Sequence, residues 1–226
     1  MQEETRTVDP VEVPKNAWQR LLQSLTSPLA DRLIAIIACT PYVLIVIARI
    51  KDGTFDIPRA TLLVQMLLQI VPMLIRRQPK RVTVNPWYWL LAFVATYWPF
   101  ISIGLVRPGQ VLVNTYVTDG LCLLSLAVAA WARLSLGRNI GFVPAQRELV
   151  MHGAYRFMRH PIYTSIFIAY LAFVLSSYSP LNALQAALGC FWFMIKSVVE
   201  ERFLAADPAY RQYLLRVRWR WLPGIA

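Results

Sequence analysis

The sequence has few charged residues for its length. Charged side chains make up 15% of the 226 residues, whereas a soluble domain usually carries about 25%. Acidic residues are the scarcer kind, with 12 Asp and Glu against 23 Lys and Arg. Hydrophobic residues reach 57% and occur in long runs, which argues against a soluble enzyme or a disordered chain. This composition is typical of an integral membrane protein whose basic residues lie in cytoplasmic loops.

Cysteine and histidine are also rare. Each of Cys39, Cys122 and Cys190 lies in an apolar run without a CxxC neighbour, so no disulfide framework is expected. The two histidines, His152 and His160, share one polar stretch that has no Cys or Asp at ligand spacing. The sequence therefore predicts no metal site.

The apolar runs predict an all-α, polytopic membrane protein with about six transmembrane helices, within limits of five to seven. A helix needs about 20 apolar residues to cross the hydrocarbon core. The candidate spans are Leu29–Ile50, Ala60–Ile75, Trp87–Val106 with a kink at Pro99, Thr115–Leu134, Ile162–Ser177 and Leu181–Val199. The turn from Ser177 to Pro180 is so short that the last two spans must form an antiparallel hairpin.

The basic residues orient these spans. When the loops are assigned to alternate sides, 19 of the 23 Lys and Arg residues fall on one side. The positive-inside rule places that side in the cytoplasm, together with both termini. The basic and aromatic stretch from Arg216 to Trp221 is then expected to meet anionic lipid headgroups, and no nucleic-acid partner is predicted.

Polar residues concentrate in two cytoplasmic segments, 137–161 and 196–226, which the hairpin brings together. Pro161 suits the first turn of a helix, so free N–H groups are expected just beyond it, where they would favour an anion. Glu200 and Glu201 lie at the end of the last span, where a carboxylate is expensive and usually has a partner or a function. Lys196 lies on the same helical face as Glu200. The two form either a simple i,i+4 ion pair or a site that binds a cationic and an anionic group.

Four short motifs occur in and around the hairpin. They are Arg159-His160-Pro161-x-Tyr163, Glu200-Glu201-x-x-Leu204, Tyr210-x-x-Tyr213 and Leu222-Pro223-Gly224. In this combination they resemble the isoprenylcysteine carboxyl methyltransferase family, one of a wider group of membrane methyltransferases that includes phospholipid methyltransferases. The stretches around Gly141 and Asp207 look most like bacterial members.

The resemblance implies an S-adenosylmethionine site carried by the C-terminal hairpin. The residues that it implies for the cofactor are Gln146, Arg147, Glu148, Leu149, Val150, Tyr155, His160, Pro161, Ile162, Tyr163 and Glu200. For an acidic group of the acceptor it implies Lys196, with Arg159 as a second candidate. An amine acceptor would need deprotonation, in which Glu201 or a lipid phosphate is expected to assist. The chain then divides into a cytoplasmic segment (1–28), four helices that form a scaffold and an acceptor cavity (29–134), and a methyltransferase core (135–226).

The function implied is methyl transfer at the cytoplasmic face of a membrane, expected to be the bacterial inner membrane. The acceptor would be lipid-like or amphipathic and would be methylated on a carboxyl oxygen, nitrogen or sulfur. Ala154, Thr164, Ser165 and Lys196 depart from the family pattern, and Lys196 lacks the bidentate fork of an arginine. Two alternatives stay open: a non-catalytic membrane accessory protein of the same fold, and a sterol-reductase-like relative that uses NADPH.

Overall fold

The computed structural model describes residues 56–224 continuously, and isolated helical residues between positions 17 and 51. Its helices are α1 (Ile57–Leu74), α2 (Pro86–Gly104), α3 (Thr115–Leu136), α4 (Pro161–Ser176), α5 (Pro180–Leu204) and α6 (Pro208–Arg216). Two short strands, β1 (Arg81–Val82) and β2 (Ala145–Gln146), and two 3₁₀ helices, Gly137–Asn139 and Gly153–Arg156, lie between them. The predicted first span, Leu29–Ile50, and the segment 1–28 lie outside the continuously described residues.

The last five predicted spans are confirmed as helices, α1 to α5. By length and composition, three helical segments of the described chain could cross a membrane: Ile57–Leu74, Thr115–Asn139 and Pro180–Leu204. Helix α4 is apolar but has only 16 residues. The protein is thus predominantly helical with three candidate membrane helices, while the six-span arrangement and the side of each terminus stay predictions.

The helices begin where the sequence supplies a cap. Asp56, Asn85 and Ser179 each accept a backbone N–H of the first turn of α1, α2 and α5, and proline follows within that turn. Such caps satisfy donors that have no partner inside the helix. Helix α4 differs, because His160 occupies its N-cap position without a side-chain cap bond. The imidazole is therefore left to make other contacts.

A buried polar network joins α1, α3 and α4. The Ser165 hydroxyl donates to Gln65 Oε1 at 3.0 Å, and the Ser125 hydroxyl donates to the Ser165 carbonyl at 2.8 Å. All three residues are almost fully buried, where polar groups are costly unless they are hydrogen-bonded. Ser165, which replaces a small residue of the family motif, thus has a structural use here.

A two-stranded antiparallel sheet ties together two loops that are distant in sequence. Arg81 pairs with Gln146 and Val82 pairs with Ala145, and Lys80 N donates to the Gln146 carbonyl at 2.8 Å. The described part of the chain is thus predominantly helical, as the all-α expectation has it, and this short strand pair is an addition to that expectation. Two residues per strand are too few to show the alternation that identifies a strand in a sequence. The sheet fixes the loop 139–150 against the start of α2.

Candidate active site

A cavity of about 230 Å³ lies where the two polar segments meet. The loop 139–150 and residues of α1 to α6 contribute to its wall. Of the residues implied by the motifs, all but Pro161 and Glu201 line it: Gln146, Arg147, Glu148, Leu149, Val150, Tyr155, Arg159, His160, Ile162, Tyr163, Lys196 and Glu200. The hairpin therefore brings the two motif segments into one wall, as the sequence predicts.

Glu200 is the carboxylate with the most contacts to other cavity residues. Its Oε2 accepts a hydrogen bond of 2.7 Å from the Tyr163 hydroxyl, and its Oε1 lies 3.8 Å from Lys196 Nζ. The side chains of Glu200 and Lys196 are only 17% and 6% exposed. The predicted i,i+4 pair is present, but it is buried. Burial makes it more expensive than a surface pair, since both charges lose water.

Lys196 also lies between two aromatic rings. Its Nζ is 5.7 Å from the centre of the Tyr163 ring and 5.9 Å from that of Phe142. Ammonium groups at this distance are attracted to the negative face of a ring, and more strongly where water is excluded. The positive charge is thus held in the cavity wall by two rings and one carboxylate.

The His160 ring lies between the two glutamates. It stacks on the Tyr163 ring, with centroids 5.2 Å apart and planes 6° apart. Its Nε2 is 3.0 Å from Glu201 Oε1, and its Nδ1 is 3.9 Å from Glu200 Oε2. The His160 carbonyl accepts from Tyr163 N and Thr164 N. The start of α4 therefore offers an anion fewer free N–H groups than the sequence predicts.

Glu201 points away from the cavity. Its two oxygens accept from Arg220 Nε at 3.1 Å and Arg220 Nη2 at 2.9 Å, and Arg159 Nη1 lies 3.3 Å from Oε2. Neighbouring residues of a helix differ by about 100° in direction, because 3.6 residues make a turn. With Glu200 facing the cavity, Glu201 is directed at the C-terminal segment. A direct contact of Glu201 with an acceptor, which the sequence suggests, has no support in this geometry.

The loop that contains residues 146–150 is held from both sides. Gln146 Nε2 donates to Asp207 Oδ2 at 2.6 Å, and Asp207 also caps α6. Arg147 Nε donates to the Arg77 carbonyl at 3.0 Å, while Glu148 forms an ion pair with the Arg77 side chain. The loop backbone is thereby fixed beside the cavity.

Three tyrosines complete the wall on the α6 side: Tyr210 and Tyr213 are buried, and Tyr155 is half-buried. The Tyr213 hydroxyl donates to the Tyr155 carbonyl at 2.9 Å, and the Tyr210 and Tyr213 rings lie 5.6 Å apart. Burial raises the pKa of Tyr155, Tyr210 and Tyr213 above the ordinary value, because the phenolate would lose its hydration. Their hydroxyls therefore stay protonated at neutral pH.

Arg133 of α3 is a cavity residue that the motifs do not reveal. Its side chain is buried and donates to the carbonyls of Gln65 at 2.9 Å and Ala129 at 3.1 Å. The sequence does hold a signal, since an ionisable residue within an apolar run is a candidate functional residue. The positive-inside rule alone counts Arg133 as a loop charge that orients the spans. Gln65 and Gln69 of α1 also line the cavity.

Residues 113–211 match the family model of phospholipid methyltransferases. The matched segment begins just before α3, ends within α6 and contains every residue that the motifs assign to the site. The resemblance to this group of membrane enzymes is thus confirmed, and it implies membrane methyltransferase activity. Assignment to bacterial members stays a prediction. No curated protein matches the chain.

Proposed function

We propose that the protein is an S-adenosylmethionine-dependent methyltransferase that acts at the cytoplasmic surface of a membrane on a lipid-like or amphipathic acceptor. One observation carries the proposal. The buried Glu200 carboxylate faces the cavity at the junction of the two motif segments, where the Tyr163 hydroxyl and Lys196 hold it. This arrangement lies inside the segment that matches the family.

The residues present fit such a cofactor. Glu200 would bind its ammonium group through a charge-assisted hydrogen bond, and the face of Tyr163 would lie against its cationic sulfur centre. The loop residues from Gln146 to Val150 and the half-buried Tyr155 would line the remainder. When bound, S-adenosylmethionine supplies an electrophilic methyl group. The protein's main task is then to orient the reactants, because an in-line displacement depends chiefly on their alignment.

Lys196 is the residue that we assign to an anionic group of the acceptor. Arg159 also lines the cavity, but its guanidinium donates to the carbonyls of Val217 at 2.6 Å and Leu214 at 3.0 Å and pairs with Glu201. These contacts fix Arg159 to the C-terminal segment. Lys196 has a more flexible side chain and a compact charge, and it lies at the cavity surface beside Glu200.

The cavity wall also accounts for an amphipathic acceptor. Leu62, Pro99, Ile166 and Phe193 supply an apolar part of the wall from four helices. The polar motif residues supply the other part. In the proposed arrangement the helices of 29–134 form the scaffold and the acceptor cavity, and 135–226 form the methyltransferase core. Both termini are then cytoplasmic, and the membrane is the bacterial inner membrane.

Calorimetric titration of the purified protein with S-adenosylhomocysteine tests the cofactor assignment. We expect saturable binding to the wild type, loss of binding in Glu200→Gln, and unchanged binding in Asp119→Asn, which removes a carboxylate of α3 outside the cavity lining. Binding of NADPH in place of S-adenosylhomocysteine would overturn the proposal. Labelled donor incubated with total membrane lipid should then label a lipid fraction. Cofactor binding without any transfer would favour the accessory-protein alternative.

A further inference from the structure

Glu201 lies at the centre of a buried cluster of charged side chains beside the cavity. Arg220 binds it through two nitrogen atoms, Arg159 lies at 3.3 Å, and His160 Nε2 lies at 3.0 Å. The Glu201 side chain is only 7% exposed. Glu201 thus has three basic partners, whereas Glu200 has two, Lys196 and His160.

The C-terminal strap, residues Val217–Trp221, carries Arg220 to this cluster. Arg159 N donates a hydrogen bond to the Trp219 carbonyl of the strap, and His160 N donates one to the Arg220 carbonyl, both at 2.9 Å. The Thr164 hydroxyl donates to the Trp221 carbonyl. The strap is thus bound to the residues at the start of α4.

The surroundings of Glu201 define which ring nitrogen of His160 shares a hydrogen with it. Two guanidinium groups favour the carboxylate form of Glu201, and a carboxylate can only accept hydrogen bonds. His160 Nε2 must therefore carry the hydrogen that it shares with Glu201. In the neutral ring, the lone pair then lies on Nδ1.

His160 Nδ1 lies 3.9 Å from Glu200 Oε2, on the cavity side. This separation is too long for a hydrogen bond between the two atoms. One nitrogen atom of a ligand can, however, donate hydrogen bonds to both His160 Nδ1 and Glu200 Oε2, since each such bond spans about 2.9 Å. An ammonium group has three N–H donors and a positive charge, so it suits a pair made of one carboxylate and one neutral nitrogen.

We propose that Glu201 is a positioning residue: held by Arg159 and Arg220, it fixes the Nε2–H form of His160 and leaves Nδ1 to share a ligand ammonium group with Glu200. The identity of that ligand as the methyl donor rests on the proposed function. The tautomer of His160 does not depend on the proposed function, so the tautomer and the identity of the ligand can be tested separately. Glu201 thereby acts on the ligand only through His160.

Nitrogen NMR of the full chain in detergent, with ¹⁵N-labelled histidine, measures the tautomer. The chain has two histidines, so His152→Gln leaves the signals of His160 alone. In the His152→Gln background we expect His160 to show the Nε2–H form. Adding Glu200→Gln should leave that form unchanged, and adding Glu201→Gln should give a mixture of the two tautomers. An Nδ1–H form before any further substitution would overturn the proposal, as would an unchanged spectrum in Glu201→Gln.

A pair of ligands separates positioning from general damage to the site. S-adenosylhomocysteine has an amino-acid tail with an ammonium group, and 5′-methylthioadenosine lacks that tail. We expect Glu201→Gln to weaken binding of the first by about tenfold, the size of one charge-assisted hydrogen bond, and to leave the second unchanged. An equal loss for both ligands would indicate a merely structural role and overturn the proposal.

Substitutions of Arg220 give an independent test if Glu201→Gln does not fold. Arg220→Lys keeps a cation beside Glu201 and should retain the Nε2–H form and the preference for the ligand with the tail. Arg220→Gln should weaken both, because Arg159 alone then pairs with the Glu201 carboxylate. The same results from the two variants would contradict the positioning role. If the wild type binds neither ligand, the proposed function fails and the ammonium site fails with it. The NMR result on the His160 tautomer would still stand.

Discussion

The Tyr163 hydroxyl donates a hydrogen bond of 2.7 Å to Glu200 and thereby joins the first turn of α4 to the last turns of α5. The two residues are 37 positions apart in sequence. Their contact turns two separate motifs into one site, because Tyr163 holds the carboxylate that faces the cavity.

Tyr163→Phe should weaken S-adenosylhomocysteine binding by about tenfold, since it removes one hydrogen bond to a charged group and keeps the ring. Titration calorimetry measures the change. Tyr116→Phe is the matched control, because Tyr116 is 84% exposed and should have no effect. Equal affinity of wild type and Tyr163→Phe would show that the phenol does not support Glu200 in ligand binding.

Lys196→Met should separate the donor from the acceptor. The variant keeps an unbranched side chain between the Phe142 and Tyr163 rings but removes the charge assigned to the acceptor's anionic group. We expect S-adenosylhomocysteine binding to change by less than about threefold, and methyl transfer to membrane lipid to fall by more than about tenfold. Arg202→Gln, an exposed charge on the same helix, should leave both unchanged. If Lys196→Met loses S-adenosylhomocysteine binding, and methyl transfer falls only in proportion to that loss, Lys196 belongs to the donor site instead.

Gly153→Ala should destabilise the protein through a steric clash as well as backbone strain. The φ of Gly153 is 58°, so alanine meets strain there on the order of 1 kcal/mol. A Cβ on Gly153 would also overlap the Ser135 hydroxyl, whereas at Gly120 in α3 no atom lies within 4 Å of it. Thermal unfolding in detergent should show a fall in Tm for Gly153→Ala and none for Gly120→Ala. Equal Tm values for the two variants would contradict the clash at Gly153.

High pH should destabilise the wall formed by the buried tyrosines. Burial raises the pKa of Tyr213 above its unfolded value of about 10, so the native state favours the protonated phenol. Its contribution to stability is complete below the unfolded pKa and is lost as pH rises through the folded pKa. Tyr213→Phe cannot ionise, so its Tm should fall less steeply above pH 10 than that of the wild type. Tyr116→Phe should follow the wild-type curve, and identical curves for all three proteins would exclude this contribution.

The helices and the hairpin could be predicted from the sequence because their signals are long or local. Apolar runs gave α1 to α5, and the turn before Pro180 gave the hairpin that brings Tyr163 beside Glu200. The motifs then identified most of the cavity wall. These predictions depend on the length of the apolar runs and on the residue types, such as proline, that are favoured in the first turn of a helix.

The side chains around Glu201 could not be predicted in the same way. Glu200 and Glu201 are adjacent and chemically alike, and only the rotation of α5 against its neighbours decides which one faces the cavity. The partner Arg220 comes from a segment without regular structure. Arg133 and the β1–β2 pair were missed for a related reason, since one residue or two short strands leave no periodic pattern.

The ion cluster at Glu201 has a consequence for biogenesis. Its three basic partners come from the start of α4 and from the strap, and Arg220 follows every described helix in the chain. During synthesis the ribosome therefore releases all of these helices before the residue that completes the cluster. The binding site can therefore be complete only after the last of these helices has left the ribosome.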